Sequence, residues 1–130
     1  MNAFLFDTCF LIDLECEIRR GGGPAHDFLQ RHPTSHARLS WTVAGEFAEG
    51  FGSIDHPACQ AMLARFDVLA MDRTTAGHYA MATRHLRDRG QLIGANDLWI
   101  AAAALAHQLP LVTNKRSHFE RVPGLSVVKY

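Results

Sequence analysis

Three carboxylates stand where an ordinary surface residue would not. Asp7 directly follows the apolar run Ala3-Phe4-Leu5-Phe6, Glu46 lies beside an apolar line of Val43, Phe47 and Phe51, and Asp97 heads the run Leu98 to Ala106. Each adjoins expected core. An ionised carboxylate in a low dielectric requires a compensating partner or takes a raised pKa. Three of them with no lysine or arginine beside them would repel one another, and a divalent cation is the natural compensator. Hard oxygen ligands favour Mg2+ or Mn2+. The chemistry that follows is metal-assisted hydrolysis of a phosphodiester, in which one ion lowers the pKa of a bound water and a second, if present, stabilises the leaving oxygen at about 3.5–4 Å separation. Simpler readings stand beside these: Asp7 or Thr8 as a helix N-cap, Asp97 next to Asn96 as the complement of a helix dipole, and Glu46 as an exposed residue of an amphipathic helix. Glu49 and Asp13 read as solvated-face residues.

The elements that must position these groups are short. Ala3 to Phe6 reads as a strand ending in an acidic turn, followed by an amphipathic helix with Leu11, Leu14 and Ile18 inward and Asp13, Glu15, Glu17, Arg19 and Arg20 on other faces. Gly21-Gly22-Gly23 breaks it, and Pro24 opens a short helix with Phe28 and Leu29 inward. After the polar stretch Arg31 to Ala37, alternation of Leu39, Trp41 and Val43 predicts a strand, and from Val43 a period of four predicts a helix carrying Glu46 and Glu49. Pro57 starts a helix with Ala58, Met62 and Phe66 on one line, and Val68 to Met71 reads as a buried strand. Thr74 is expected to cap a long helix containing Tyr79, Ala82 and Leu86, ended by Gly90. Leu98 to Ala106 is apolar on every face, the mark of a helix buried all round, with Asn96 as a possible cap. Short strands at Pro110 to Thr113 and Ser126 to Val128 complete the pattern, with a helical turn around Phe119 between them. Strands separated by helices argue an α/β fold with a parallel sheet covered on both faces. In such sheets ligands bind at the carboxyl ends of the strands, where Asp7 falls. If both strands are parallel, Thr113 and Asn114 share that sheet edge.

Composition narrows the function. The 130 residues are 48% apolar and fit one compact domain over residues 1–130. Thirteen basic residues balance thirteen acidic ones, so no global field draws the protein onto a polyanion or an acidic membrane, and any nucleic-acid contact must come from a local patch. Cys9, Cys16 and Cys59 match neither a CxxC pair nor a disulfide framework and read as buried thiols of a reducing compartment. The N-terminal apolar run is cut by Asp7 and Asp13, which argues against a signal peptide or membrane span and for a soluble cytoplasmic protein. Of the eight histidines, His32 and His36 are four apart, but Pro33 spoils a helix that would present both to one metal. His118 lies nearest the expected site.

Together these residues resemble the PIN-domain ribonucleases, in particular the VapC-type toxins of bacterial toxin–antitoxin pairs. The resemblance is carried by Phe6-Asp7-Thr8-Cys9-Phe10-Leu11-Ile12-Asp13-Leu14, by Glu46, by Ile93-Gly94-Ala95-Asn96-Asp97-Leu98-Trp99-Ile100-Ala101-Ala102, and by Leu111-Val112-Thr113-Asn114 running on to Phe119 and Leu125. It implies a three-layer α/β/α fold with a central, mostly parallel sheet. It also implies Mg2+ or Mn2+ held by Asp7 and Asp97, Glu46 completing the catalytic site, cleavage of RNA, a cognate antitoxin and a homodimer. Many relatives carry a fourth acidic residue just after the strand that corresponds to Leu111-Val112; here the segment reads Thr113-Asn114-Lys115-Arg116. Asn114 brings a carbonyl but no charge, so a weaker second metal site is expected. Thr8, Thr113 and Asn114 are expected to brace the metal ligands or touch substrate, and Lys115 and Arg116 to meet RNA phosphates. Arg84, Arg87 and Arg89 serve equally well as a solvated face, and Trp41 and Trp99 read as core. Two other readings remain: a phosphotransferase or phosphatase with Asp7 as nucleophile, although the residue two positions on is Cys9 and not a carboxylate, and an inactive PIN-like module that binds RNA or protein.

Overall fold

The computed structural model describes residues 3–33 and 36–130. Thr34 and Ser35, in the polar stretch read before the second strand, lie outside the described residues, as do Met1 and Asn2. The elements run β1 (Ala3–Phe6), α1 (Thr8–Arg20), α2 (Pro24–Arg31), β2 (His36–Ser40), α3 (Trp41–Glu49), α4 (Pro57–Leu63), β3 (Asp67–Leu69), α5 (Arg73–Asp88), α6 (Ala95–Ala106), β4 (Leu111–Val112), α7 (Arg116–Phe119) and β5 (Val127–Val128).

The five strands form one sheet in the order β3-β2-β1-β4-β5. Every pairing is parallel, where a mostly parallel sheet was expected. The chain builds outward from β1 through β2 to β3, then returns through α5 and α6 to place β4 on the other flank of β1. Right-handed crossovers in opposite directions put the α1–α2 pair and the α5–α6 pair on opposite faces of the sheet. The strand order thus reverses between β1 and β4. The carboxyl ends at such a reversal are where a parallel α/β sheet offers its ligand crevice. The register pairs Phe6 with Val112, so Asp7 and Thr113 leave the sheet side by side.

Alternation in β1 sends Phe4 and Phe6 to one face, where they meet Phe28 at 5.3 and 5.9 Å between ring centroids, and Phe6 also meets Phe10 at 4.4 Å. Helix α6 is buried along Leu98, Ile100 and Ala101 to Ala104, as its uniform apolarity required. Among the described residues, no helix is long and apolar enough to cross a membrane.

Several local expectations give way to stronger competitors. The alternation through Trp41 does not continue the strand: the buried Ser40 hydroxyl accepts the Val43 N–H at 3.2 Å, starting α3 at Trp41 and leaving that indole 53% exposed. In α1, Leu11 and Leu14 are buried but Ile18 is 57% exposed, and the inward place is taken by Glu17. Glu17 accepts the Ala25 and His26 N–H groups at 3.0 and 2.8 Å, capping the start of α2. Gly23 permits this approach, because a Cβ there would lie 2.5 Å from the Glu17 side chain. Helix α4 buries Cys59 and Met62 while Ala58 is exposed, and it ends before Phe66. Strand β3 covers Asp67–Leu69 and is half-buried at the sheet edge, where Asp67 pairs with Arg38 opposite it. Asp72, not Thr74, caps α5 through a capping box with Thr75, and Gly94, not Asn96, precedes α6. Only Cys59 is a fully buried thiol; Cys9 and Cys16 are half-buried.

Candidate active site

Asp7 has no exposed surface, and each of its oxygens is held. Oδ1 accepts the Thr8 N–H at 2.8 Å, which makes Asp7 the N-cap of α1. Oδ2 accepts the Thr113 hydroxyl at 2.7 Å and the Cys9 thiol at 3.3 Å. The cap reading and the site reading therefore describe one side chain. Thr113, buried at the end of β4, also accepts the Lys115 N–H at 3.0 Å. That contact turns the chain so that Lys115 comes back over the crevice.

Glu46 joins from α3. Its Oε1 accepts the Thr8 hydroxyl at 2.6 Å and its Oε2 accepts the Asn96 amide at 3.2 Å. Thr8 thus links two carboxylates, through its N–H to Asp7 and its hydroxyl to Glu46. Asp97, in the first turn of α6, is 9% exposed and faces two basic groups, Lys115 Nζ at 3.4 Å and His118 Nδ1 at 3.5 Å. The expectation of a carboxylate cluster with no base beside it is therefore corrected. Burial alone would lower the Lys115 pKa, but Asp7 and Asp97 together outweigh it and raise it, so the ammonium is retained. The Cys9 thiol is raised by burial and then by the charge of Asp7, which keeps it protonated and donating.

The remaining candidates sit further out. Asn114 is exposed, and its backbone N–H approaches the Cys9 sulfur. Arg116 is exposed and paired with Glu120 at 2.9 Å. Arg84 pairs with Asp88 at 3.4 Å on an exposed face, the local partnership of a solvated helix. Trp99 is half-buried and stacked on Tyr79 at 3.8 Å.

Two contacts escaped sequence reasoning. Asp13 is no free surface residue, since it accepts the Tyr130 hydroxyl at 2.6 Å; burial of the phenol, and then that bond, push its pKa up. Asn96 was read as a cap but binds Glu46 instead. Its position directly before Asp97 was the available signal.

Asp7 and Asp97 are the residues that could hold a metal ion. The donors converging on the crevice are carboxylate and hydroxyl oxygens, which suit a hard divalent cation. Among the described residues no three His, Cys, Asp or Glu side chains form a ready metal cluster.

Residues 4–125 match the family model described as PIN domain. The chain belongs to the PIN-domain family. The likeness read from its motifs is thereby borne out, together with the α/β fold. This PIN-domain chain is 35% identical to ribonuclease VapC1 of Methanocaldococcus jannaschii, in an alignment covering 99% of the chain and 88% of the relative. It is 27% identical to a chain of a toxin–antitoxin complex from Klebsiella pneumoniae, with a TM-score of 0.70 and coverage of 96% and 95%. VapBC2 from Rickettsia felis, solved bound to a DNA fragment from its promoter, shares the fold with a TM-score of 0.82 at 23% identity, covering 98% of each chain.

Proposed function

We propose that this PIN-domain protein is a Mg2+- or Mn2+-dependent endoribonuclease and the toxin of a toxin–antitoxin pair. The observation that carries this reading is the placement of a fully buried Asp7 at the point where the strand order reverses, linked through Thr8 to Glu46 and sharing the charge of Lys115 with Asp97. The VapC1 relative, named a ribonuclease, and the toxin–antitoxin complex support it.

Asp7 and Asp97 would hold a divalent ion, which when bound would supply Lewis acidity toward the phosphodiester and its attacking water. The protein supplies orientation. Thr8 and Thr113 fix both oxygens of Asp7, so its carboxylate is set before any ligand arrives. Glu46, fixed by Thr8 and Asn96, presents a carboxylate beside the crevice as the proton acceptor for the attacking water. Lys115 carries the positive charge that meets a phosphate, with Arg116 adding a weaker one. RNA is the substrate. A cognate antitoxin and a second copy of the chain are the partners, and the 130 residues act as a single nuclease domain.

The test is cleavage of RNA by the purified protein with Mg2+ or Mn2+. Asp7→Asn and Asp97→Asn are each expected to lose more than about 100-fold in rate while keeping the fold. Full activity in either variant overturns the assignment. An enzyme that acquires a covalent phosphate on Asp7 would establish the phosphotransferase reading instead, and failure of the wild type both to bind millimolar metal and to cut RNA would establish an inactive binding module.

A further inference from the structure

We infer that Trp41 is a base-stacking residue that seats one nucleotide of the RNA beside the carboxylate site; the inference rests on the ribonuclease reading above. Trp41 opens α3 with its indole more than half exposed, at one end of an open concavity of ≈ 410 Å³. Thr42, Gly45, Glu46, Glu49 and Asn96 complete the lining. One wall is therefore Glu46, whose other contacts lead through Thr8 to Asp7. A nucleotide lodged here lies next to the bond that the carboxylate site addresses.

The charge of the concavity decides which part of a nucleotide it takes. Two glutamates line it and no lysine or arginine does, so a phosphate is repelled and a neutral base is admitted. The phosphate belongs on the Lys115 side. Every base has a π-face, and an exposed indole offers the complementary surface. Tyr79 and Trp99 are already stacked on each other, whereas Trp41 has no aromatic partner among the described residues.

Gly45 adds an independent sign. Glycine inside a helix is destabilising relative to alanine, and a Cβ at this position would meet nothing within 4 Å. Packing does not call for glycine here. Its effect is to keep the floor of the concavity open between Trp41 and Glu49.

The experiment is a cycle between protein and substrate. A short single-stranded RNA that the wild type cuts at one bond is made with an abasic nucleotide at each position in turn, and kcat and KM are measured for wild type, Trp41→Ala and Trp41→Phe. At one position next to the cut, loss of the base is expected to lower wild-type kcat/KM by about 5- to 150-fold, chiefly through KM. Trp41→Ala should lose as much on the intact RNA and nothing more on that abasic RNA, while Trp41→Phe stays within a few-fold of wild type. Gly45→Leu should cut the intact RNA poorly while unfolding at a temperature no lower than wild type. Losses that multiply at every position overturn the inference and leave the nuclease reading standing. So does a Trp41→Ala variant whose mass in solution falls from dimer to monomer, which assigns the indole to a contact between copies. A wild type that cuts no RNA overturns both.

Discussion

Lys115 holds a positive charge 3.4 Å from Asp97 and within the field of Asp7, where a divalent cation would also be drawn. Ammonium and metal therefore compete for the same carboxylates. Lys115→Met is expected to bind Mn2+ about 5-fold more tightly in a calorimetric titration, the size of a partly exposed ion pair of about 1 kcal/mol, and to bind RNA more weakly. Unchanged Mn2+ affinity would show that the lysine stands aside from the metal position. The three carboxylates themselves were legible because each adjoined an apolar run, which is an uncomfortable place for a charge. Lys115 was legible only as a neighbour of the last site strand. Its return over the crevice depends on the Thr113 hydroxyl accepting its N–H, a contact with no periodicity to betray it.

At the scale of the helix, the buried Glu17 and the exposed Asp72 cap by different means. Glu17 is 2% exposed and satisfies two N–H groups at the start of α2. Glu17→Ala leaves both unsatisfied and is expected to cost about 2 kcal/mol, read as a shift in the midpoint of chemical denaturation. The Asp72 carboxylate is held below its ordinary 3.8, first by the Thr75 N–H that it accepts. Its ionised form is thus favoured by the fold, and the stabilisation is present above pH 3.8 and lost as the pH falls through the lower folded value. Asp72→Asn keeps a capping side chain without the titration. The gap in melting temperature between wild type and this variant should accordingly narrow as the pH drops from about 5 toward about 2. Helix existence was readable from period and breakers, whereas helix starts were not. Ser40, Asp72 and Gly94 each began a helix at a residue that apolar periodicity does not weigh. Trp41 was misplaced for that reason: a pattern of two ran across a cap into a pattern of four.

For the whole molecule, balanced charge sets how it meets a polyanion. If Lys115 and Arg116 are the two phosphate contacts, as proposed, the logarithm of RNA affinity should fall with the logarithm of salt at a slope of about −1.4. A slope steeper than about −3, measured by binding across a potassium chloride series, would reveal a cationic track elsewhere on the surface. The α/β class was legible because strands and helices alternate, but the strand order was not. Nothing local marks β1 as the central strand with β2 on one flank and β4 on the other; the two flanking strands differ in character, His36-Ala37-Arg38-Leu39-Ser40 against Leu111-Val112.

That order ties the appearance of activity to the progress of synthesis. Asp7 is made before Asp97 and before Thr113, the residue whose hydroxyl holds the Asp7 carboxylate, and β1 stays without its β4 neighbour until then. A growing chain that has not yet reached β4 carries Asp7 without the partners that complete its site. A chain stopped after residue 110 should show this as a complete lack of cleavage beside an active full-length control.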